Sequence, residues 1–435
     1  MRRLALAVFL TLVASTGEAA AATVARHVLP NGLIVLVRED ASVGVMGASL
    51  IVRGGTLFEA PDEAGITNFV HRVMLRGTRR YDAVQLTQAI EDLGGSLDAS
   101  GDVEFAEVRG TALGRNWEAL LTLMAEVALR PTFQAEEVER ERRLILSAIQ
   151  SRGDTPFQRA FDAMLAGLYG RHGYGWPNVG TRESLAQLDR AALQARYAAL
   201  YRPDRVVLAV SGQVPTARVV RAAEKLFRAM PAATTSSAPS APTPGAPRRG
   251  RDLVERPAQQ AQVMVGYIVP GLSDADYASV RVMGMLLGGG MSGRLFAELR
   301  DRRGLAYQVG VLGSYRTGPS FLLAYMGTAP ANVEASEKGM LAELERIRTE
   351  PVTDRELARA KAYLLGNLTM DRRTTARDAW YLAFFEVTGA GWSFPERYAR
   401  AVEAVTTADI GRVAQRYLTG PTVVVLQPPP KGVGP

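Results

Sequence analysis

The sequence predicts an α+β protein of two homologous domains, each a mostly antiparallel sheet with helices packed on one face, joined by a Pro/Ala/Ser-rich linker. Three observations carry this expectation. Runs with strand-like and helix-like apolar patterns alternate along the chain. Residues 231–251, PAATTSSAPSAPTPGAPRRGR, have no apolar periodicity and divide the chain into stretches of comparable length. Those two stretches repeat each other. Gly110-Thr111-Ala112 leads through a long helix to Pro131, and Gly327-Thr328-Ala329, 217 residues on, leads through a helix to Pro351.

The elements follow in order. Residues 1–22 read as a cleavable signal peptide: Arg2 and Arg3, an apolar run over 4–13, then Ala20-Ala21-Ala22. The run is shorter than the ~20 residues a membrane span needs, so the expected destination is the periplasm. The first domain is placed at 23–230. In it, Pro30-Asn31-Gly32 marks a tight turn before a strand at 33–37, and further strands are expected at 48–52 and 105–110. An amphipathic helix over 82–93 starts at Asp82 and stops at Gly94-Gly95. The linker is placed at 231–251 and the second domain at 252–435, with a strand at 262–269 and a helix at 292–302 stopped by Gly304. The repeat pairs a helix near 137–149 with one at 354–365, and a strand at 206–210 with one at 423–426.

Composition removes several classes of chemistry. The absence of cysteine excludes disulfides, Cys-ligated zinc, iron–sulfur clusters and thiol nucleophiles. Only three histidines, His27, His71 and His172, are available for a metal site. The net charge of +7 is spread along amphipathic helices such as EEVERERR (136–143), and no basic stripe suited to nucleic acid stands out. Gly288-Gly289-Gly290 is followed by no phosphate-cradling Lys-Ser/Thr, and reads as a close approach or a flexible connection.

Residues 65–78 read GITNFVHRVMLRGT. This segment resembles the active-site helix of the pitrilysin/insulinase-type zinc peptidases, the inverzincins, whose pattern is G-[LI]-x-H-x-x-E-H-x-[LM]-x-x-G-T. LPNGLIVLV (29–37), LGGSLDAS (93–100), YGWPNVGTRESLAQL (174–188), YRPDRVVLAVSGQV (201–214) and GRLFAELRDRRGLAYQV (293–309) match the family in order and spacing. The chemistry of the motif needs two imidazoles one helical turn apart on one zinc, with a glutamate between them as base. Here the first ligand position is Asn68, the base position His71 and the second ligand position Arg72. The third ligand position falls at Ala148, beside Ser147, while Glu141 keeps a supporting acidic position. A guanidinium cannot coordinate a metal and repels one. His71 is read as a packed helix residue, with a ligand or base in an altered site as the alternative.

The resemblance also implies a peptide-binding arginine and tyrosine seven residues apart in the second domain, at positions held here by Arg300 and Tyr307. Arginine donates to peptide carbonyls, and a phenol stabilises a developing oxyanion. Read without the family, Arg300 complements a helix C-terminus and Tyr307 is a strand aromatic. Some members of the family act as two-chain enzymes. The resemblance therefore implies a non-catalytic subunit, with no metal of its own, that gives Arg300 and Tyr307 to a zinc-bearing homologous partner acting on unfolded peptides. The alternatives are a peptide-binding or scaffold protein of the same fold, and an autonomous peptidase with a remodelled metal site at His71.

Overall fold

A computed structural model describes residues 23–230 and 241–429; the expected signal peptide lies outside the described residues. The first half forms a six-stranded sheet from β1 (Val24–Val28), β2 (Ile34–Glu39), β3 (Val45–Arg53), β4 (Ser96–Gly101), β5 (Phe105–Leu113) and β6 (Val206–Gly212). Their order is β1-β2-β6-β3-β5-β4, antiparallel except where β2 meets β6. The second half forms a five-stranded sheet from β7 (Gly250–Glu255), β8 (Ala261–Val269), β9 (Ala306–Gly313), β10 (Ser320–Thr328) and β11 (Thr422–Gln427). Its order is β7-β11-β8-β10-β9, with β7 and β11 parallel. Without β1 the two sheets have one topology, as a duplicated unit requires.

Local chemistry sets the boundaries. The β1–β2 hairpin closes with Leu29 N–H donating to Leu33 O at 2.9 Å, and Gly32 takes φ 96°. The Ala83–Glu91 helix begins at Asp82, whose side chain accepts from Gln85 N–H in a reciprocal capping box. Two expected bounds shift. Gly250 and Arg251, assigned to the linker, already pair with β11 as the start of β7, because Pro-rich character ends at Pro247. The helix expected over 292–302 is a 3₁₀ turn at Gly290–Ser292 followed by a π-helix at Phe296–Arg302.

The expectation of helices on one face holds for the helices of each half, but the other face is covered too. In the first sheet, Val35, Val37, Leu50, Leu208 and Val210 pack with that half's own helices. The alternate residues Leu36, Ile51, Val207 and Ala209 share a core with Ala379, Leu382 and Ala383 of the Thr375–Val387 helix, from the second half. Conversely, Met264, Leu323, Val424 and Leu426 of the second sheet pack on Ala160, Met164 and Leu168 of the Pro156–Tyr169 helix, from the first half. The exchange explains why the central strands read as unbroken apolar runs: both faces are buried. It also explains Gly47, where a Cβ would lie 2.3 Å from Ala376 Cα. Polar bonds cross the same junction. Arg38 Nη1 and Ser211 Oγ donate to the Asp378 carboxylate at 2.9 and 3.0 Å, and Thr317 N–H donates to Glu104 Oε1 at 2.9 Å.

Candidate functional site

The motif segment forms the Ile66–Met74 helix, lying against β4 and the Ala135–Asp154 helix. Its start is fixed by the buried Glu59 carboxylate, which accepts from Gly65 N–H at 2.7 Å and Thr67 N–H at 2.9 Å. Such an acceptor satisfies orphan donors and favours the positive end of the helix dipole. Arg196 Nη1 ties in the preceding turn through Phe58 O at 3.1 Å, and its Nη2 bonds Thr67 Oγ1 at 3.1 Å. The segment is therefore held rigidly, and the identities of its side chains decide what it can do.

Asn68 is buried on this helix, its backbone against β4: a Cβ at Gly101 would lie 2.6 Å from Asn68 N. His71 has no exposed surface. Its Nδ1–H donates to Thr67 O at 2.7 Å, its Nε2 accepts from the Tyr201 hydroxyl at 3.0 Å, and the ring stacks on Tyr201. Both nitrogens are thus engaged in the neutral form, and burial pulls the imidazole pKa down to about 4. Arg72 Nε donates to Glu141 Oε2 at 2.8 Å, and Arg76, one turn on, donates to Glu141 Oε1. The Glu141 side chain is fully buried, whereas Arg72 and Arg76 are 36% and 33% exposed. Ala148 is exposed, two turns along the same helix as Glu141.

The donor set does not fit a zinc ion. One ligand position carries an amide, the next a guanidinium in an ion pair, and the third a methyl group. His27 lies exposed on β1, and His172 lies in a turn, where its Nε2–H donates to Pro242 O at 2.9 Å. Among the described residues no three His, Cys, Asp or Glu side chains gather where they could hold a metal. In place of a metal, an Arg–Glu–Arg bridge joins the motif helix to the Ala135–Asp154 helix. Sequence reasoning passed over Arg76; its spacing of four residues from Arg72 placed both guanidiniums on one helical face, able to share one acid.

Arg300 and Tyr307 lie in the second half. Arg300 is exposed on the π-helix, its guanidinium 4.7 Å from the Phe296 ring centroid. Tyr307 is 62% exposed on β9, the edge strand of its sheet. It occupies a β-bulge: Gln308 pairs with Gly327 and Ala306 with Thr328, so Tyr307 has no cross-strand partner. Bulges re-aim a side chain away from the regular alternation, and π-turns recur where a side chain must be displayed. Among the described residues neither side chain has a hydrogen-bonded or ion-paired partner.

The fold and this geometry define a duplicated α+β clamp of the metallopeptidase type, with an ion-pair bridge where the metal ligands would be. Residues 34–182 match the family model Insulinase (Peptidase family M16), and residues 187–364 match Peptidase M16 inactive domain. The chain belongs to peptidase family M16, with its second part matching the model of that family's inactive domain. An uncharacterized zinc protease of Mycobacterium tuberculosis is 29% identical over 405 residues, covering 92% of each chain. Another, from Streptomyces coelicolor, is 29% identical over 425 residues, covering 95% of this chain and 91% of its own. Among solved structures, a peptidase M16 inactive domain from Pseudomonas fluorescens superposes with a TM-score of 0.86 at 23% identity, covering 94% of this chain and 98% of its own. A protease from Helicobacter pylori gives the same TM-score at 22% identity, covering 94% of this chain and all of its own. Among the described residues no helix is long and apolar enough to cross a membrane.

Proposed function

We propose that this chain is the non-catalytic subunit of a two-chain periplasmic zinc metallopeptidase. It gives Arg300 and Tyr307 to the active site of a homologous, zinc-bearing partner that hydrolyses peptides. The observation that carries this reading is an asymmetry. The positions that would hold metal are closed by the Arg72–Glu141–Arg76 bridge and the packed His71, while Arg300 and Tyr307 stand exposed with no hydrogen-bond or ion-pair partner among the described residues. A guanidinium so displayed donates to a substrate carbonyl, and an exposed phenol stabilises the oxyanion that develops as a carbonyl is attacked. The edge strands β4 and β9 offer unpaired backbone to an extended peptide. Zinc belongs to the partner, and this chain contributes binding and charge stabilisation.

The test begins with co-purification of the full chain from native extract, then a peptidase assay with and without chelator. Chelator-sensitive peptidase activity is expected with the partner and none with the chain alone. Arg300→Ala is expected to lower kcat/KM of the reconstituted pair by about tenfold or more while leaving assembly intact. Tyr307→Phe is expected to act mainly on kcat. Unchanged kinetics in both variants overturn the assignment.

A further inference from the structure

The Tyr277–Gly288 helix, YASVRVMGMLLG, carries one charged residue, Arg281, in an otherwise apolar segment. Arg281 lines a cavity of about 160 Å³ between this helix and the β9–β10 hairpin. Its Nε is wholly buried without a hydrogen-bond partner, and its guanidinium lies 5.0 Å from the Tyr315 ring centroid. The groups that act on it most strongly are the hydroxyls of Tyr277, Tyr398 and Tyr315. Among the described residues no carboxylate pairs with it, although Asp276, five residues earlier, is taken by Arg412, Arg416 and Tyr417. Space is kept for the guanidinium at Gly313, where a Cβ would come within 2.9 Å of Nη1. The rest of the lining is apolar, including Val269, Val280, Met285 and Val311, apart from Ser314 and Ser320.

Arg281 as a residue is half-buried, with its Nε fully out of water; a cation so far withdrawn is normally matched by an anion, because dipoles and ring faces compensate it only in part. Here the protein supplies tyrosines and leaves the anionic partner out, next to an apolar space. A cavity of roughly 150 Å³ accommodates one benzene ring. We propose that this cavity binds a small monocarboxylate with an apolar body, its carboxylate on the Arg281 guanidinium and its body among the apolar side chains. The carboxylate can come from a free organic acid or from the C-terminal residue of a peptide. The site involves neither Arg300 nor Tyr307, so it stands or falls independently of the two-chain reading.

The experiment uses the purified full chain with sodium benzoate as probe and benzyl alcohol as its uncharged counterpart, at equal ionic strength. Benzoate near saturation is expected to raise Tm by about 2 °C or more, with no comparable rise from benzyl alcohol. By calorimetric titration, Arg281→Met is expected to raise the benzoate Kd about tenfold or more. Because that variant also removes an unpaired cation, its ligand-free Tm is expected to equal or exceed that of the wild type. Gly284→Val leaves Arg281 in place and fills the cavity from the same helix, where a Cβ already lies 3.4 Å from Leu322 Cδ1; it is expected to abolish binding. A peptide ending in Phe, compared as free acid and amide, separates the sources: binding of the acid form supports a peptide terminus, and binding of benzoate alone supports a free acid. Benzoate binding no better than benzyl alcohol, or equally to wild type and Arg281→Met, overturns the proposal.

Discussion

If the Arg72–Glu141–Arg76 bridge has taken over the work of holding the motif helix to its neighbour, Glu141→Gln must loosen the first half measurably. The substitution keeps the shape of the side chain and removes its charge, so both guanidiniums lose their anion at once. Hydrogen bonds to charged groups contribute ~1.5–3 kcal/mol each, and two are weakened here. Arg72 and Arg76 are about one-third exposed and recover hydration, which returns part of that loss. A net destabilisation of ~2–4 kcal/mol follows, below the ~3–5 kcal/mol typical when a fully buried pair is broken. At ~2–4 °C per kcal/mol for a unit of this size, Tm is expected to fall by about 4–16 °C. Arg72→Ala should cost less, ~1–2 kcal/mol, because Arg76 still neutralises Glu141. Thermal and urea unfolding followed by circular dichroism measure both. A Glu141→Gln variant within ~0.5 kcal/mol of wild type would refute the reasoning, as would an Arg72→Ala variant that suffers more than Glu141→Gln.

Two further outcomes follow from residues outside the bridge. His71 is held neutral with a pKa of about 4, against ~6.5 in an unfolded chain, so the unfolded state binds the extra proton between those values. Its contribution to stability is complete above about pH 6.5 and lost as pH falls towards 4, by ~3 kcal/mol in all; urea titrations across that window should show a shallower dependence in His71→Gln than in wild type. Gly47→Ala drives a methyl into the backbone of the Thr375–Val387 helix and should destabilise by ~1–3 kcal/mol or more, with tryptophan fluorescence reporting the displacement of Trp380.

The degenerate motif was legible because it depends on residue identity at fixed spacing, and a helix transmits that spacing faithfully: Asn68, His71 and Arg72 fall on one short helix. The strands at 206–210 and 423–426 were legible as unbroken apolar runs. What covers their second face was not, because the partners lie over a hundred residues away, on helices 156–169 and 375–387, and periodicity reports burial without naming the neighbour. The Thr375–Val387 helix did carry a signal, since TARDAWYLAFFEV is too apolar for a helix with one face in water. Arg281 carried a comparable one, a single cation inside an apolar helix. The bulge that displays Tyr307 left no mark in the sequence, because it depends on the register between β9 and β10.

The exchange of helices also decides where motion can occur. To part the two halves, Leu36, Ile51, Val207 and Ala209 must leave Ala379, Leu382 and Ala383, and Met264, Leu323, Val424 and Leu426 must leave the Pro156–Tyr169 helix. At ~1.5–3 kcal/mol for each larger side chain, re-exposing these surfaces costs well over 10 kcal/mol, before the Arg38–Asp378 and Glu104–Thr317 bonds are broken. That is comparable to the whole stability of an ordinary domain, ~5–15 kcal/mol. The composition of the linker permits a hinge, but the packing it spans does not. The two halves of this chain therefore move as a single body, and the exposed Arg300 and Tyr307 are presented by that body as a whole.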